Sequence, residues 1–373
     1  MTLGLGIVGL GTAGAAMLAA ALHRTDLRLS AIADPRVDAL GVPGLDGVRR
    51  YASLDGLLSD DGVHIVHIAT PTPLHAEHVA RGLAAGRHVI VEKPVTTDSD
   101  SARHLAATAA GRDEIAVVGH SESFEPYVSA AQEVIADREI GQPAMVIAEK
   151  VTDWMRRPRL LEELESGLGG GLIRRQGVHQ VDVVRTLVGG RFEVRAARTR
   201  PDPERGVAGS FTAWLDAEDG PGIVISHDGV GRRTRGGWAA GTATVSVGDN
   251  GSGGEGADKR LRSLRLLKRA ITADGALTLG LGDEERILVL GTEGELTASR
   301  HEVAVTGDGG RRTVALGSRP SGRDAVLDEV MDAISGRRAP VHDLAWGAEN
   351  LRLCEEIERV ATANSAMEMK GSQ

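Results

Sequence analysis

Residues 3–9 read LGLGIVG, and residues 10–24 read LGTAGAAMLAAALHR. The first stretch has the continuous apolar character of a buried strand. The second, from Thr12 on, has that of a helix. Between them Gly9, Gly11 and Gly14 spell G-x-G-x-x-G. Glycine permits so tight a strand-to-helix turn, and it lets backbone N–H groups at the helix start, around Thr12 and Ala13, approach an anion closely. In a chain with 49 glycines the spacing alone is weak. Its position between a strand and a helix makes it the fingerprint of a pyrophosphate cradle, and so of a dinucleotide site. Asp34 closes the next apolar run, LRLSAIAD, 20 residues after Gly14. A carboxylate there accepts hydrogen bonds from a ribose 2′-OH and repels a 2′-phosphate, which favours NAD over NADP. Arg36 pulls the other way, because arginine can hold a 2′-phosphate.

The first 22 residues carry no charge and could pass for a signal peptide or a membrane span. No basic residues precede the apolar run, and the glycine spacing fits the strand–turn–helix reading better. No other long apolar run occurs, so no membrane association is expected. With 373 residues, two domains are expected. We set them at 1–122, the dinucleotide-binding domain, and 123–373, a substrate-binding and oligomerisation domain. The closing helices within 320–365 would pack back on the first. A net charge of −9 argues against nucleic acid as a partner. The single cysteine, Cys354, permits no internal disulfide, which suits the cytoplasm, and reads as a small buried helix residue.

The first third alternates. Strands are expected at LRLSAIAD, HIVHIAT (64–70), HVIVEKP and IAVVGH. Helices are expected over Tyr51 to Leu58, PLHAEHVARGLAAG, DSDSARHLAATAAG with an Asp or Ser cap, and FEPYVSAAQEVIADREIG. Continuous apolar strands separated by helices imply a doubly wound parallel sheet, an α/β Rossmann domain. From PAMVIAEKV onward strands and turns dominate, with TEGE (292–295) and GDGG (307–310) as hairpin turns and one helix starting near Arg174. That predicts an α+β domain with a large, mostly antiparallel open sheet. DNGSGGEGADK (249–259) reads as a polar surface loop, and SGRDAVLDEVMDAISG and DLAWGAENLRLCEEIERVATA read as the closing helices.

Three further stretches carry chemistry. Thr70-Pro71-Thr72-Pro73-Leu74-His75 and Glu92-Lys93-Pro94 end consecutive strands, at the sheet edge where ligands bind in this architecture. Thr70, Pro71, His75, Glu92 and Lys93 are therefore placed at the cofactor, although His75 and His78 also read as ordinary helix residues. Lys93 can carry a proton or stabilise a developing alkoxide. His120, ending VVGH, points to the same edge. Finally, GGGLIRRQGVHQVD (169–182) runs three glycines into Arg174 and Arg175, then His179 and Asp182. At helical spacing Arg175, His179 and Asp182 share one face. No metal is expected.

Taken together, GLGTAG, ATPTPLH, EKP and GGGLIRRQGVHQVD resemble the Gfo/Idh/MocA oxidoreductase family over nearly the whole chain. The resemblance implies an NAD(P)-dependent dehydrogenase acting on hydroxyl groups of sugars, inositols and related cyclic compounds, often dimeric or tetrameric through its second-domain sheet. It implies Lys93, His179 and Asp182 as catalytic residues: His179 as base, Asp182 to orient it or hold a substrate hydroxyl, and Lys93 to stabilise the oxyanion or relay the proton. Many members carry an aspartate four residues before the histidine, where this chain has Arg175. Arginine pairs bidentately with carboxylate or phosphate. With Arg156, Arg157 and Arg159 upstream, an anionic substrate follows, with Arg174, Arg175, Arg157 and His120 as its ligands. The arginines, WMRRPR and GRRAPVHDLAWG are similar in style to the branch of 4,5-dihydroxyphthalate (phthalate cis-dihydrodiol) dehydrogenases. Other readings are an oxidoreductase of sugar acids, inositols or imines, an enzyme that uses NAD transiently in glycoside cleavage, and a non-catalytic NAD-binding regulator.

Overall fold

The computed structural model describes residues 2–37, 45–156, 161–231 and 284–371. Arg157, Arg159 and the 249–259 loop lie outside these. The first third forms a parallel sheet of six strands in the order β3-β2-β1-β4-β5-β6. They are β1 (Leu3–Val8), β2 (Leu27–Ala33), β3 (Arg49–Tyr51), β4 (Ile65–Ile68), β5 (His88–Val91) and β6 (Ala116–Val118). This is the doubly wound order, whose direction reverses between β1 and β4. Strands apolar on both sides require cover on both faces. Leu5, Ile7 and Ile65 pack into one core, and Val8, Val66 and Ile68 into another.

The second sheet has eight strands among the described residues, in the order β14-β13-β12-β11-β7-β10-β9-β8. They are β7 (Pro143–Val151), β8 (Phe192–Pro201), β9 (Ala208–Ala217), β10 (Gly222–Asp228), β11 (Glu284–Gly291), β12 (Gly294–Ser299), β13 (Val303–Gly307) and β14 (Gly310–Val314). The pairing is antiparallel throughout except between β7 and β10, which run parallel. One face is buried: Val146, Ala148, Ile223, Ile225, Ile287 and Val289 alternate inward against the helices Pro126–Ala136 and Val178–Val188. The two hairpin turns fall where TEGE and GDGG place them.

The closing helices tie the two halves. The helix Gly322–Ile334 sends Val326, Leu327 and Val330 into the core of the parallel sheet. The last helix, Leu344–Gly371, contributes Leu344, Ala348 and Leu351 to the first domain's other core. Farther along, its Leu353, Cys354 and Ile357 enter the core under the second sheet. One local reading is corrected. The helix expected over Tyr51 to Leu58 spans only Leu54–Leu58, capped by Ser53, whose hydroxyl accepts from the Gly56 N–H. Its first residue, Tyr51, ends edge strand β3, whose exposed Arg49 and Arg50 conceal the strand pattern. At the start of the helix Ser99–Ala109, Asp98 is the cap and accepts from the Ser101 N–H at 2.8 Å.

Candidate active site

The three glycines of the first loop do three different jobs. Gly9 has φ +86°, and a Cβ there would meet the Ala69 carbonyl oxygen at 2.5 Å. A Cβ on Gly14 would meet the Gly9 carbonyl oxygen at 1.9 Å, so the helix packs on the turn only because that atom is missing. A Cβ on Gly11 would meet nothing within 4 Å. The Gly11 side is therefore the open face of the cradle, at the start of the helix Thr12–Leu22, which has no side-chain cap. The N–H groups around Thr12 and Ala13 are the donors such a helix start presents to an anion. Asp34 anchors the loop by accepting from the Leu10 N–H at 3.1 Å. Its other contacts come from Arg36, whose backbone N–H donates at 2.9 Å and whose Nε donates at 3.1 Å. Burial works to raise the Asp34 pKa, but the bonds from Arg36 and Leu10 outweigh it and hold the carboxylate ionised. These residues fit an adenine dinucleotide, with the pyrophosphate over Gly11 and the ribose hydroxyls toward Asp34.

The next two loops meet through His75. Its Nδ1 lies 2.8 Å from the Pro94 carbonyl oxygen and its Nε2 lies 2.8 Å from that of Thr70. The ring thus fastens Thr70-Pro71 to the Lys93-Pro94 turn, and burial lowers its pKa. Both ring nitrogens face backbone carbonyl oxygens, and the neutral ring donates to one of them, so the His75 side chain sits between the two loops. Glu92 is likewise committed: its buried carboxylate pairs with Arg323 and with His67 Nε2. Burial acts to raise the Glu92 pKa, but the Arg323 charge carries it far below the usual range. Lys93, next in sequence, turns into the cleft, where its Nζ donates to the Arg175 carbonyl oxygen at 2.8 Å. Burial, then the charge of Arg175, brings its pKa down to about 7.

The glycine run from the second domain arrives opposite these loops. Gly169 has φ +74°, and a Cβ there would sit 3.1 Å from Thr97 Cα and 3.2 Å from Thr72 Cγ2. The run is small because it presses on the first domain. It leads into a π-type turn, Ile173–Gly177, and then the helix Val178–Val188. Gly177 is similarly constrained, since a Cβ would meet the Phe211 ring at 2.7 Å. Of the stripe expected for Arg175, His179 and Asp182, the wider π turn alters the spacing of Arg175 to His179, while His179 and Asp182 stay three apart on the regular helix.

The outcome differs for each of them. Arg175 faces the cleft, with its guanidinium 3.5 Å from Thr72 Oγ1 and 3.8 Å from Glu163. Arg174 points away, against expectation: it bonds Glu358 at 2.9 Å, the Thr97 carbonyl oxygen at 2.8 Å and Glu355 at 3.3 Å. It clamps the last helix to the turn. Asp182 also departs from expectation. Its Oδ1 accepts from Trp346 Nε1 at 2.7 Å and from Asn350 Nδ2 at 3.0 Å, while Oδ2 faces His120 Nδ1 at 3.7 Å. It does not reach His179. His120 is buried against Asn350, with its pKa taken down to about 4 by burial.

His179 instead presents Nδ1 to Glu122 Oε1 at 3.5 Å. Burial, then the charges of Lys93 and Lys150, pushes its pKa well below the usual histidine value, so the ring is neutral at pH 7. Lys150 bonds Glu122 at 2.5 Å. Neither Glu122 nor Lys150 was picked out from the sequence. Signals existed: Glu122 lies two residues past His120 in VVGHSESF, and Lys150 occupies an inward position of PAMVIAEKV, where charge is unusual.

The Gfo/Idh/MocA oxidoreductase family, with its NAD-binding Rossmann fold, matches residues 3–120, and that family's C-terminal domain matches residues 128–252. The chain belongs to this family and is an NAD-binding oxidoreductase. It is 29% identical to a 1-carboxy-3-chloro-3,4-dihydroxycyclohexa-1,5-diene dehydrogenase of Comamonas testosteroni, over 94% of this chain and 92% of that one. A solved structure from Bordetella bronchiseptica RB50 superposes with a TM-score of 0.80 at 30% identity, covering 98% of this chain and 99% of that one. Levoglucosan dehydrogenase in complex with NADH shares the fold, with a TM-score of 0.75 at 18% identity over 97% and 98% of the two chains. Among the described residues, no helix is long and apolar enough to cross a membrane.

Proposed function

We propose that this protein is an NAD-dependent dehydrogenase that oxidises a hydroxyl group of a small, cyclic, carboxylated substrate such as a cis-dihydrodiol. The observation that carries the reading is Arg175. Its guanidinium lies in the cleft wall beside Lys93, and its contacts with Thr72 and Glu163 are long, at 3.5 and 3.8 Å. A planar fork so held can take a carboxylate bidentately. The Comamonas relative's name describes such a compound, a carboxylated cyclic diol.

Bound NAD supplies the acceptor for the hydride that leaves the carbinol carbon. The chain's own residues handle the proton and the charge. His179, neutral at pH 7, takes the hydroxyl proton as the C–O bond gains carbonyl character. Lys93 stabilises the oxygen while it carries negative charge, and with a pKa of about 7 it can also pass a proton at neutral pH. Its bond to the Arg175 carbonyl oxygen fixes it next to the guanidinium, so one segment sets both the reacting end and the carboxylate end of the substrate. In a dihydrodiol, the hydrogen on the neighbouring carbinol carbon then leaves as a proton while the new carbonyl oxygen takes one up, which gives the aromatic catechol.

The test is NADH absorbance with a panel of carboxylated cyclic diols beside inositol and simple sugars. Turnover confined to carboxylated compounds, and lost in Lys93→Ala and His179→Ala, is expected. Turnover of inositol or sugars alone would overturn the substrate class. We also propose a homodimer or homotetramer through the open face of the second sheet. Trp214, Val224, Ile147 and Leu288 form one cross-strand row there, and Trp214 is 48% exposed. Light scattering should give a multimer for the native chain and a smaller species for Trp214→Glu. A native monomer would contradict this.

A further inference from the structure

Glu122, Lys150, Glu285 and Tyr127 form a buried polar group beneath His179. Lys150 on β7 points inward, opposite Glu285 on β11 and His227 on β10. It is 2% exposed and bonds Glu122 at 2.5 Å, with Glu285 at 3.6 Å. Tyr127 donates to Glu285 at 2.7 Å. Glu122 begins the short turn that follows the last strand of the parallel sheet, so it reaches the second domain's histidine from the first. Burial would raise the Glu122 pKa, but the Lys150 charge overrides it and keeps the group ionised; burial raises that of Glu285. Charges facing Glu122 are Lys150, Lys93, Arg300, Glu125 and Glu285; those facing His179 are Lys93, Lys150, His120 and Glu92.

We propose that Glu122, held in place by Lys150, is the positioning residue of His179: it accepts from Nδ1–H and leaves Nε2 free to take the substrate proton. A carboxylate beside one ring nitrogen selects the tautomer in which that nitrogen carries hydrogen. The 3.5 Å separation is loose and needs to close by only about half an ångström, which is common before substrate is bound. The bookkeeping is simple. The hydroxyl proton moves to Nε2, the Nδ1 proton stays, and the carboxylate balances the imidazolium until the proton leaves. The inference rests on the dehydrogenase reading, but its first test does not.

That test is the nitrogen NMR spectrum of the histidine-labelled full chain at neutral pH, without substrate, with the His179 signals assigned by their loss in His179→Asn. A ring protonated at Nδ1, shifting to a mixture in Glu122→Gln, is expected. A ring protonated at Nε2 in the unaltered protein overturns the proposal, whatever the variants do. Turnover then adds a second reading. Glu122→Gln should lower kcat by roughly 100-fold with little change in KM. It should move the acid limb of kcat/KM to lower pH, because a negative neighbour is gone, and Glu122→Asp should recover part of the loss. An unchanged kcat and pH profile in Glu122→Gln overturns it as well. If Glu122→Gln does not fold with Lys150 left underpaired, Glu122→Gln/Lys150→Met removes both charges and takes its place. Absence of turnover from every compound would count against the dehydrogenase reading and leave the tautomer result standing.

Discussion

The glycine loop at residues 9–14 and the His179 site face the same cleft, yet they are built by opposite means. The loop works through atoms that are absent. Apart from the Asp34 carboxylate that anchors it, its geometry is backbone, and Gly9, Gly11 and Gly14 each keep a different space open. The His179 site works through side chains brought from distant segments: Lys93, Glu122, Lys150 and Arg175 lie on three loops and a strand. A site made of backbone is local in sequence and cannot be lost one contact at a time. A site made of side chains can be changed residue by residue, which is how one fold serves many substrates.

The contrast can be broken by experiment. His179→Ala should lower turnover about 100-fold or more while NAD affinity, read by titration, stays at its original value. Gly14→Ala should do the opposite. Its methyl group collides with backbone, so melting should fall by roughly 5–10 °C and NAD binding should fail with it. Arg175→Met should cost about 10- to 100-fold in kcat/KM on carboxylated substrates, the worth of a charged hydrogen bond, and little on uncharged ones. Lys93 should keep its place in that variant, because it is held by the Arg175 main chain. Gly11→Ala is the control within the loop: melting within about 1 °C of the parent, but NAD weakened about tenfold, since the added methyl faces only the cradle.

A separate effect is on stability against pH. Lys93 has a pKa of about 7 in the folded chain against 10.5 when unperturbed. The unfolded chain therefore binds the proton more tightly, and the folded protein is penalised fully below pH 7. The penalty fades as pH rises from about 7 toward 10.5. Lys93→Met should melt higher than the parent near pH 7, and the gap should close as pH approaches 10. A gap that widens with pH would contradict the buried-lysine account.

The same difference explains what the sequence made legible. Strand, glycine spacing and Asp34 sit within about one βαβ unit, so periodicity and turn chemistry suffice to read them. EKP and the glycine run were legible for the same reason. The π turn at Ile173–Gly177 was not, since nothing in IRRQG distinguishes i→i+5 backbone bonding from i→i+4. Tertiary partners were hidden too: Arg174, read as a substrate ligand, bonds the last helix, and Asp182, read on one face with Arg175 and His179, bonds Trp346. Glu122 was hidden because its partner is 57 residues away, joined only when the two domains pack.

The central claim is that Arg175 selects a carboxylate while Lys93 and His179 handle the proton. The direct measurement is kcat/KM with NAD for a carboxylated cis-dihydrodiol and its uncarboxylated twin, in the parent and in Arg175→Met. A strong preference for the carboxylated compound in the parent, falling about 10-fold or more in the variant, is expected. Equal preference in both proteins would contradict the role given to Arg175, and with it the substrate class proposed for this site.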